Sequence, residues 1–219
     1  MAFVRQQDLV DLKKLGSLSV AVIGCGAVGS FTSFILTKMG IKKLSIWDDD
    51  QVQLHNLASQ FFPRESIGLS KVKAVSAECL RHAPEDILID INEQRYEGQP
   101  LDHDIIIATP DNIEGRAAAF KQAKKNFATV LYIDGRMSAE MVRVFAFNPK
   151  SYEHQQKYFT DYIDGVANSV EPCTAKAISY NANYAGSLIA SHVKKFVTGE
   201  PIPFEFSFMF KEMCQVKGQ

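Results

Sequence analysis

The segment from Val20 to Gly29 sets the tightest limit on what this chain can fold into. An apolar run, Val20–Gly24, ends in Gly24-Cys25-Gly26-Ala27-Val28-Gly29, and a helical pattern follows from about Ala27 to Gly40. A G-x-G-x-x-G run in that position joins a buried strand to a helix through a turn with little room for side chains. Gly24 permits the tight turn, Gly26 lets a phosphate approach the backbone, and Gly29 allows close helix–strand packing. The helix N-terminus, opening at Ala27, then offers unpaired N–H groups and a partial positive charge to an anion. Glycine-rich turns also arise from packing alone, so the flanking elements matter. A second strand, Lys43–Trp47, ends in Asp48-Asp49-Asp50. Asp48 stands about 20 residues past Gly29, the place of an acid that binds ribose hydroxyls. Together these features predict a nucleotide site. They do not separate NAD from ATP.

The rest of the chain repeats the strand–helix alternation. A loop-like stretch, Gln51–Ser70, leads to a helix at about Lys71–His82 and a strand at Ile87–Ile91. A very apolar strand at Asp104–Ala108 stops at Thr109-Pro110-Asp111, before a helix at Ile113–Asn126 and a strand at Thr129–Ile133. Continuously apolar strands alternating with helices predict an α/β, Rossmann-like fold: a mainly parallel sheet covered by helices on both faces. The pattern changes in the C-terminal half, where antiparallel strands are predicted. Asp134-Gly135-Arg136 reads as a turn into an antiparallel edge strand at Met141–Phe147. Ser151–Phe159 reads as a short helix, Thr160–Pro172 as a mobile loop, Thr174–Val197 as a long helix closed by Gly199 and Pro201, and Phe204–Phe210 as an alternating strand. One domain over residues 1–219 fits best, with a core at 1–150 and a crossover loop, long helix and tail at 151–219.

Three polar clusters accompany the phosphate loop: Asn56-Leu57-Ala58-Ser59-Gln60, Gly68-Leu69-Ser70-Lys71, and Asp111-Asn112 with Arg116 one helical turn on. With Gly24–Gly29 and the Asp48–Asp50 acids, this ordered set resembles the ThiF/MoeB/HesA family of ubiquitin-activating-enzyme-like adenylyltransferases. That family's pattern is G-x-G-x-x-G, D-x-D, N-L-x-R-Q, G-x-x-K and D-N-x-x-x-R. The resemblance covers about Val20–Phe147, with a weaker echo in Pro172–Phe196.

The resemblance implies ATP-dependent adenylylation of the C-terminal carboxylate of a small ubiquitin-like or sulfur-carrier protein with a Gly-Gly-type tail. Both reactants are anions, so such a site must cancel charge and hold them in line. The resemblance assigns phosphate contacts to Lys71 and Asn56, and Mg²⁺ binding to Asp111. It places Gly24, Gly26, Ala27, Gly29, Asp48, Asp50, Gln60 and Asn112 around the nucleotide. It also implies a homodimer in which an N-terminal arginine reaches the partner's site, and Arg5 is the candidate here. An exposed arginine without that role is the other reading of Arg5. Asp111 also suits the N-cap of the helix from Ile113, and Arg116 suits either loop orientation or substrate contact.

Ser59 departs from the pattern by standing where the family has arginine, and Arg64 is the nearest replacement cation. A nucleotide-binding scaffold with little or no turnover therefore stands beside the enzyme reading. An NAD(P)-dependent dehydrogenase shares the glycine loop and Asp48, but it leaves Lys71 and Asp111 without a role. Cys173, between the predicted loop and long helix, is the candidate acyl-accepting thiol or, equally, a small packed residue. The family's zinc cysteines are absent, and no C-x-x-C pair occurs.

Composition narrows the partners. The 24 basic and 25 acidic residues give a net charge of −1, which provides no drive toward nucleic acid or an anionic membrane surface. No apolar run approaches the roughly 18 residues of a membrane span, and the N-terminus has no signal-peptide core. A cytoplasmic protein is expected.

Overall fold

The computed structural model describes residues 2–164 and 177–218. A single eight-stranded sheet runs in the order β3-β2-β1-β4-β5-β6-β7-β8. Its parallel part comprises β1 (Ser19–Ile23), β2 (Lys43–Trp47), β3 (Leu88–Asn92), β4 (Ile105–Ala108) and β5 (Leu131–Ser138). The antiparallel part adds β6 (Met141–Phe147), β7 (Glu205–Met209) and β8 (Cys214–Gly218). The predicted mixed α/β, Rossmann-like sheet is thus observed.

The central strands are apolar because they are covered twice. All four residues of β4 are buried, as are residues 131–135 of β5. One face carries α1 (Leu12–Ser17), α2 (Ala27–Met39), α3 (Lys71–His82) and α6 (Ser179–Thr198), which share a core with Val20, Val22, Ile105 and Ile133. The other carries α4 (Ile113–Lys125) and α5 (Tyr152–Tyr158), packed on Ala21, Ile106 and Tyr132. Alternate residues of one strand therefore enter opposite cores, as the period of two requires.

The first two crossovers run through α2 and α3 on one face, whereas the crossover from β4 to β5 runs through α4 on the other. The direction of winding reverses between β1 and β4. Open α/β sheets leave a crevice at such a point, beyond the carboxyl ends of the strands.

Several expectations are corrected. Asp134-Gly135-Arg136 is not a turn: all three lie inside β5, paired with Phe145, Val144 and Arg143 of β6. Short polar side chains and a glycine imitate a turn, but here they sit in a ladder. The turn falls instead around Ala139, which has a positive φ. Strand β6 is not an edge either, because β7 pairs along it and covers the edge expected near Met141–Phe147. The long helix starts at Ser179, with Ile178 still extended, and ends as predicted at left-handed Gly199. The start of the predicted mobile loop is a π-helix, Phe159–Asp164; its remainder and Cys173 lie outside the described residues. Among the described residues, no helix is long and apolar enough to cross a membrane.

Helices α2 and α6 meet through Gly186. A Cβ there would stand 2.9 Å from both Phe31 Cβ and the Thr32 nitrogen. Gly186→Ala therefore forces the helices apart and costs roughly 1–3 kcal/mol, despite alanine's better helix propensity. A lower urea midpoint at unchanged m-value would show this, and an unchanged midpoint would contradict it.

Candidate functional site

A cleft of about 380 Å³ opens at the winding reversal. The glycine loop forms its floor. Gly24 has φ +89°, and a Cβ on it would stand 2.8 Å from the Thr109 carbonyl and the Pro110 nitrogen. A Cβ on Gly29 would fall 1.8 Å from the Gly24 oxygen, so only glycine fits either place. Gly26 has open space before it and precedes Ala27, the first residue of α2. Gly24 and Gly29 are therefore packing requirements, as expected, and Gly26 faces the cleft. Thr109 joins this loop to the end of β4, its hydroxyl donating to the Ile23 and Gly24 carbonyls at 3.0 and 2.8 Å.

Acids and one lysine line the β2 side. Asp48 accepts from the Cys25 and Asp50 backbone N–H groups at 2.7 and 2.9 Å. Lys71, at the start of α3, donates to Asp50 at 2.6 Å and lies 4.0 Å from Asp48. Burial pushes the Asp48 carboxyl up, opposed by Lys71 and the two N–H groups. Burial works against the Lys71 ammonium, yet Asp48, Asp50 and Asp111 outweigh it and hold its pKa above the ordinary lysine value. Lys71 is thus a buried, charged and paired group, not a solvated helix-start lysine. Cys25 is fully buried. Burial and the Asp48 charge push its thiol well up, so it serves packing.

Asp111 follows Pro110 at the end of β4. The N-cap of α4 belongs to Asn112, whose carbonyl oxygen accepts from Gly115 N–H at 2.8 Å while its amide donates to Asp111 at 3.1 Å. The capping role open to Asp111 is thus taken by its neighbour, and Asp111 is exposed to the cleft. Asn56 is buried, with its side-chain oxygen held by Gln53 N–H at 2.8 Å. The Gln60 side-chain oxygen is buried, with no hydrogen-bond partner among the described residues.

Of the residues read from the sequence, Gly24, Gly26, Ala27, Asp48, Asp50, Asn56, Gln60, Lys71, Asp111 and Asn112 all line this one cleft. Gly29 packs beneath it. Ser59 lines it too, whereas Arg64 is exposed on a short helical turn outside the lining. Arg5 is exposed and does not reach the cleft of its own chain. Arg116 lines the cleft as well; it is buried, paired with Asp134, and bonded to the Pro110 and Gly135 carbonyls, an arrangement that orients the loop.

Sequence reasoning missed Trp47, Arg95, Tyr96 and Met137 in the lining. Arg95 and Tyr96 follow β3, and the Tyr96 ring stands on the Trp47 indole at 5.3 Å. The rule that ligands collect at strand carboxyl ends would have found them.

The family model described as the ThiF family matches residues 2–215. Among curated relatives, ubiquitin-like modifier-activating enzyme 5 of Mus musculus is 34% identical over 137 residues, covering 54% of this chain and 33% of that protein. Its Drosophila mojavensis counterpart is 31% identical over 145 residues, covering 58% and 36%. The chain thus spans about a third of the length of these relatives. Among solved structures, Escherichia coli MccB with ATP superposes with a TM-score of 0.76 at 22% identity, covering 95% of this chain and 65% of that one. That likeness establishes the shared fold.

The charge arrangement around Lys71 makes a signed prediction. Lys71→Met removes the largest influence opposing the rise in the Asp48 pKa. A carboxyl whose folded pKa is raised contributes stability below its unfolded pKa and loses it as pH rises through the folded value. The melting temperature of Lys71→Met, relative to wild type, should fall as pH rises out of the ordinary carboxylate range, because Asp48 is then raised further without Lys71. A difference that does not change with pH above the carboxylate range would show that Asp48 does not depend on Lys71.

Proposed function

The chain belongs to the ThiF family, and from that premise we propose that it adenylylates the C-terminal carboxylate of a small ubiquitin-like or sulfur-carrier protein, using ATP and releasing pyrophosphate. The observation that carries this reading is the convergence of Gly26, Asp48, Lys71 and Asp111 on one cleft at the reversal point of the sheet. The names of the relatives support it, one being a ubiquitin-like modifier-activating enzyme and another structure having been solved with ATP.

In this reading the phosphates lie over Gly26 and the α2 N-terminus, where N–H groups and the helix dipole favour anions. Asp48 keeps its two backbone partners and accepts from the ribose hydroxyls with its remaining lone pairs. Lys71 and Asn56 hold the phosphates, and Gln60 lies beside them in the lining. A carrier carboxylate attacking the α-phosphorus adds charge in the transition state, and a fixed lysine stabilises that charge without reorganising. Asp111 fits Mg²⁺ on its chemistry: an exposed hard oxygen donor, freed from capping, suits an ion that binds one or two carboxylates and otherwise phosphates and water. Bound there, the ion would neutralise phosphate charge. Asn112 orients the Asp111 carboxylate.

The proposal extends to the assembly: one domain over the chain, a homodimer with Arg5 reaching into the partner's cleft, and a cytoplasmic location. Cys173 remains the candidate thiol for a later acyl transfer. The second reading, a nucleotide-binding scaffold, is favoured by Ser59, which leaves the lining without the family's arginine.

Exchange of labelled pyrophosphate into ATP, with Mg²⁺ and a panel of Gly-Gly-tailed carriers, decides between them. Carrier-dependent exchange is expected, reduced about 100-fold in Asp111→Asn and increased in Ser59→Arg. ATP binding without exchange for any carrier would establish the scaffold instead.

A further inference from the structure

The Asp111 turn is anchored from behind by a buried charged network. Asp134 sits in β5 opposite Ala108, the last residue of β4 before the turn that holds Asp111. Its side chain is 0% exposed. One carboxylate oxygen accepts from Arg116; the other accepts from Arg136 at 2.7 and 2.9 Å and from the Tyr158 hydroxyl at 2.5 Å. Arg116 carries the connection forward to the Pro110 carbonyl, directly preceding Asp111. Arg136 carries it backward, donating to the Tyr162 carbonyl at 3.1 Å within the π-helix.

We propose that Asp134 is a positioning residue for adenylylation, holding Asp111 in place through Arg116 and itself held by Tyr158 and Arg136. The inference rests on the adenylylation reading for its kinetic consequence, but not for its structural one. A fully buried carboxylate with two guanidinium groups is a poor device for stability alone, since apolar residues of similar volume often do as well or better. It is a good device for fixing direction. Planar guanidinium groups bond in one geometry, and Arg116 leaves the Pro110 carbonyl little freedom. Burial opposes the Asp134 charge, and Arg116, Arg136 and Tyr158 together overcome it and hold the group ionised. With two cations against one anion, the network also keeps net positive charge behind a cleft proposed to receive phosphates.

Two variants and two measurements test this in the full chain. Asp134→Asn removes the charge. Tyr158→Phe removes a single hydroxyl and keeps the ring, so it covers the case in which Asp134→Asn does not fold. Amide hydrogen exchange should show faster uptake in peptides spanning residues 109–112 in either folded variant, with the glycine loop unchanged. In pyrophosphate exchange, kcat should fall about tenfold for Asp134→Asn and a few-fold for Tyr158→Phe, with KM for ATP within about twofold of wild type. Unchanged uptake at 109–112 in the folded variants overturns the proposal, as does a rise in KM at unchanged kcat. Faster uptake in a protein whose wild type supports no exchange would instead keep the anchoring role and reject the adenylylation reading.

Discussion

The cleft depends on how closely the turn after β1 lies against the turn after β4. Gly24 and Gly29 leave no space for a Cβ, one because of the Thr109–Pro110 backbone and the other because of Gly24 itself. Thr109 closes the contact with hydrogen bonds to Ile23 and Gly24. This contact brings the start of α2, with its free N–H groups, within the same cleft as Asp111, although the two are far apart in sequence. A side chain at Gly29 would have to displace the Gly24 carbonyl, and the Asp111 turn would move with it. The glycines therefore act less as flexible joints than as a condition for the two halves of the site to meet.

Much of this was legible in the sequence because it rests on local rules. Strand periodicity, the glycine spacing and the position of Asp48 each follow from backbone geometry within a few dozen residues. Lys71 and Asp111 were legible only through the order of separated motifs. What escaped depends on partners distant in sequence. Asp134-Gly135-Arg136 has the composition of a turn, and only its pairing with Arg143–Phe145 makes it a strand. The second strand of the terminal hairpin, β8, pairs with β7 and is only five residues long, too short for its apolar–polar alternation to stand out. The cap on α4 fell to Asn112 where Asp111 looked equally suitable, because the helix begins at Ile113 and Asn112 is the residue directly before it. Arg95 and Tyr96 carry no motif, and only their place shortly after the carboxyl end of β3 marks them.

Electrostatics tie the two sides together. Asp48 and Lys71 each pay part of the desolvation of the other, and their pairing is set by the approach of the β2 end to the start of α3, where Lys71 N–H donates to the Asp50 carbonyl at 2.9 Å. On the opposite side, Arg116 is bound to Asp134. Neither cation is simply waiting for a ligand. A phosphate entering the cleft would have to share Lys71 with Asp50, which is mostly exposed and free to turn toward water.

The balance of charge in the lining sharpens what Ser59 means. Among the described residues, the carboxylates are Asp48, Asp49, Asp50 and Asp111, against the cations Lys71, Arg95 and Arg116. A cleft with this composition does not attract a polyphosphate by its own side chains. The helix N-terminus and glycine-loop N–H groups supply local attraction, but partial charges of that kind do not cancel several full negative charges. On the proposed function the difference must come from outside the lining: a divalent cation at Asp111 or an arginine from a second copy. The arginine that Ser59 replaces would have supplied one of these charges from within. Its absence shifts the demand to metal and partner, so a chain of this kind should depend on both more steeply than a relative that keeps the arginine.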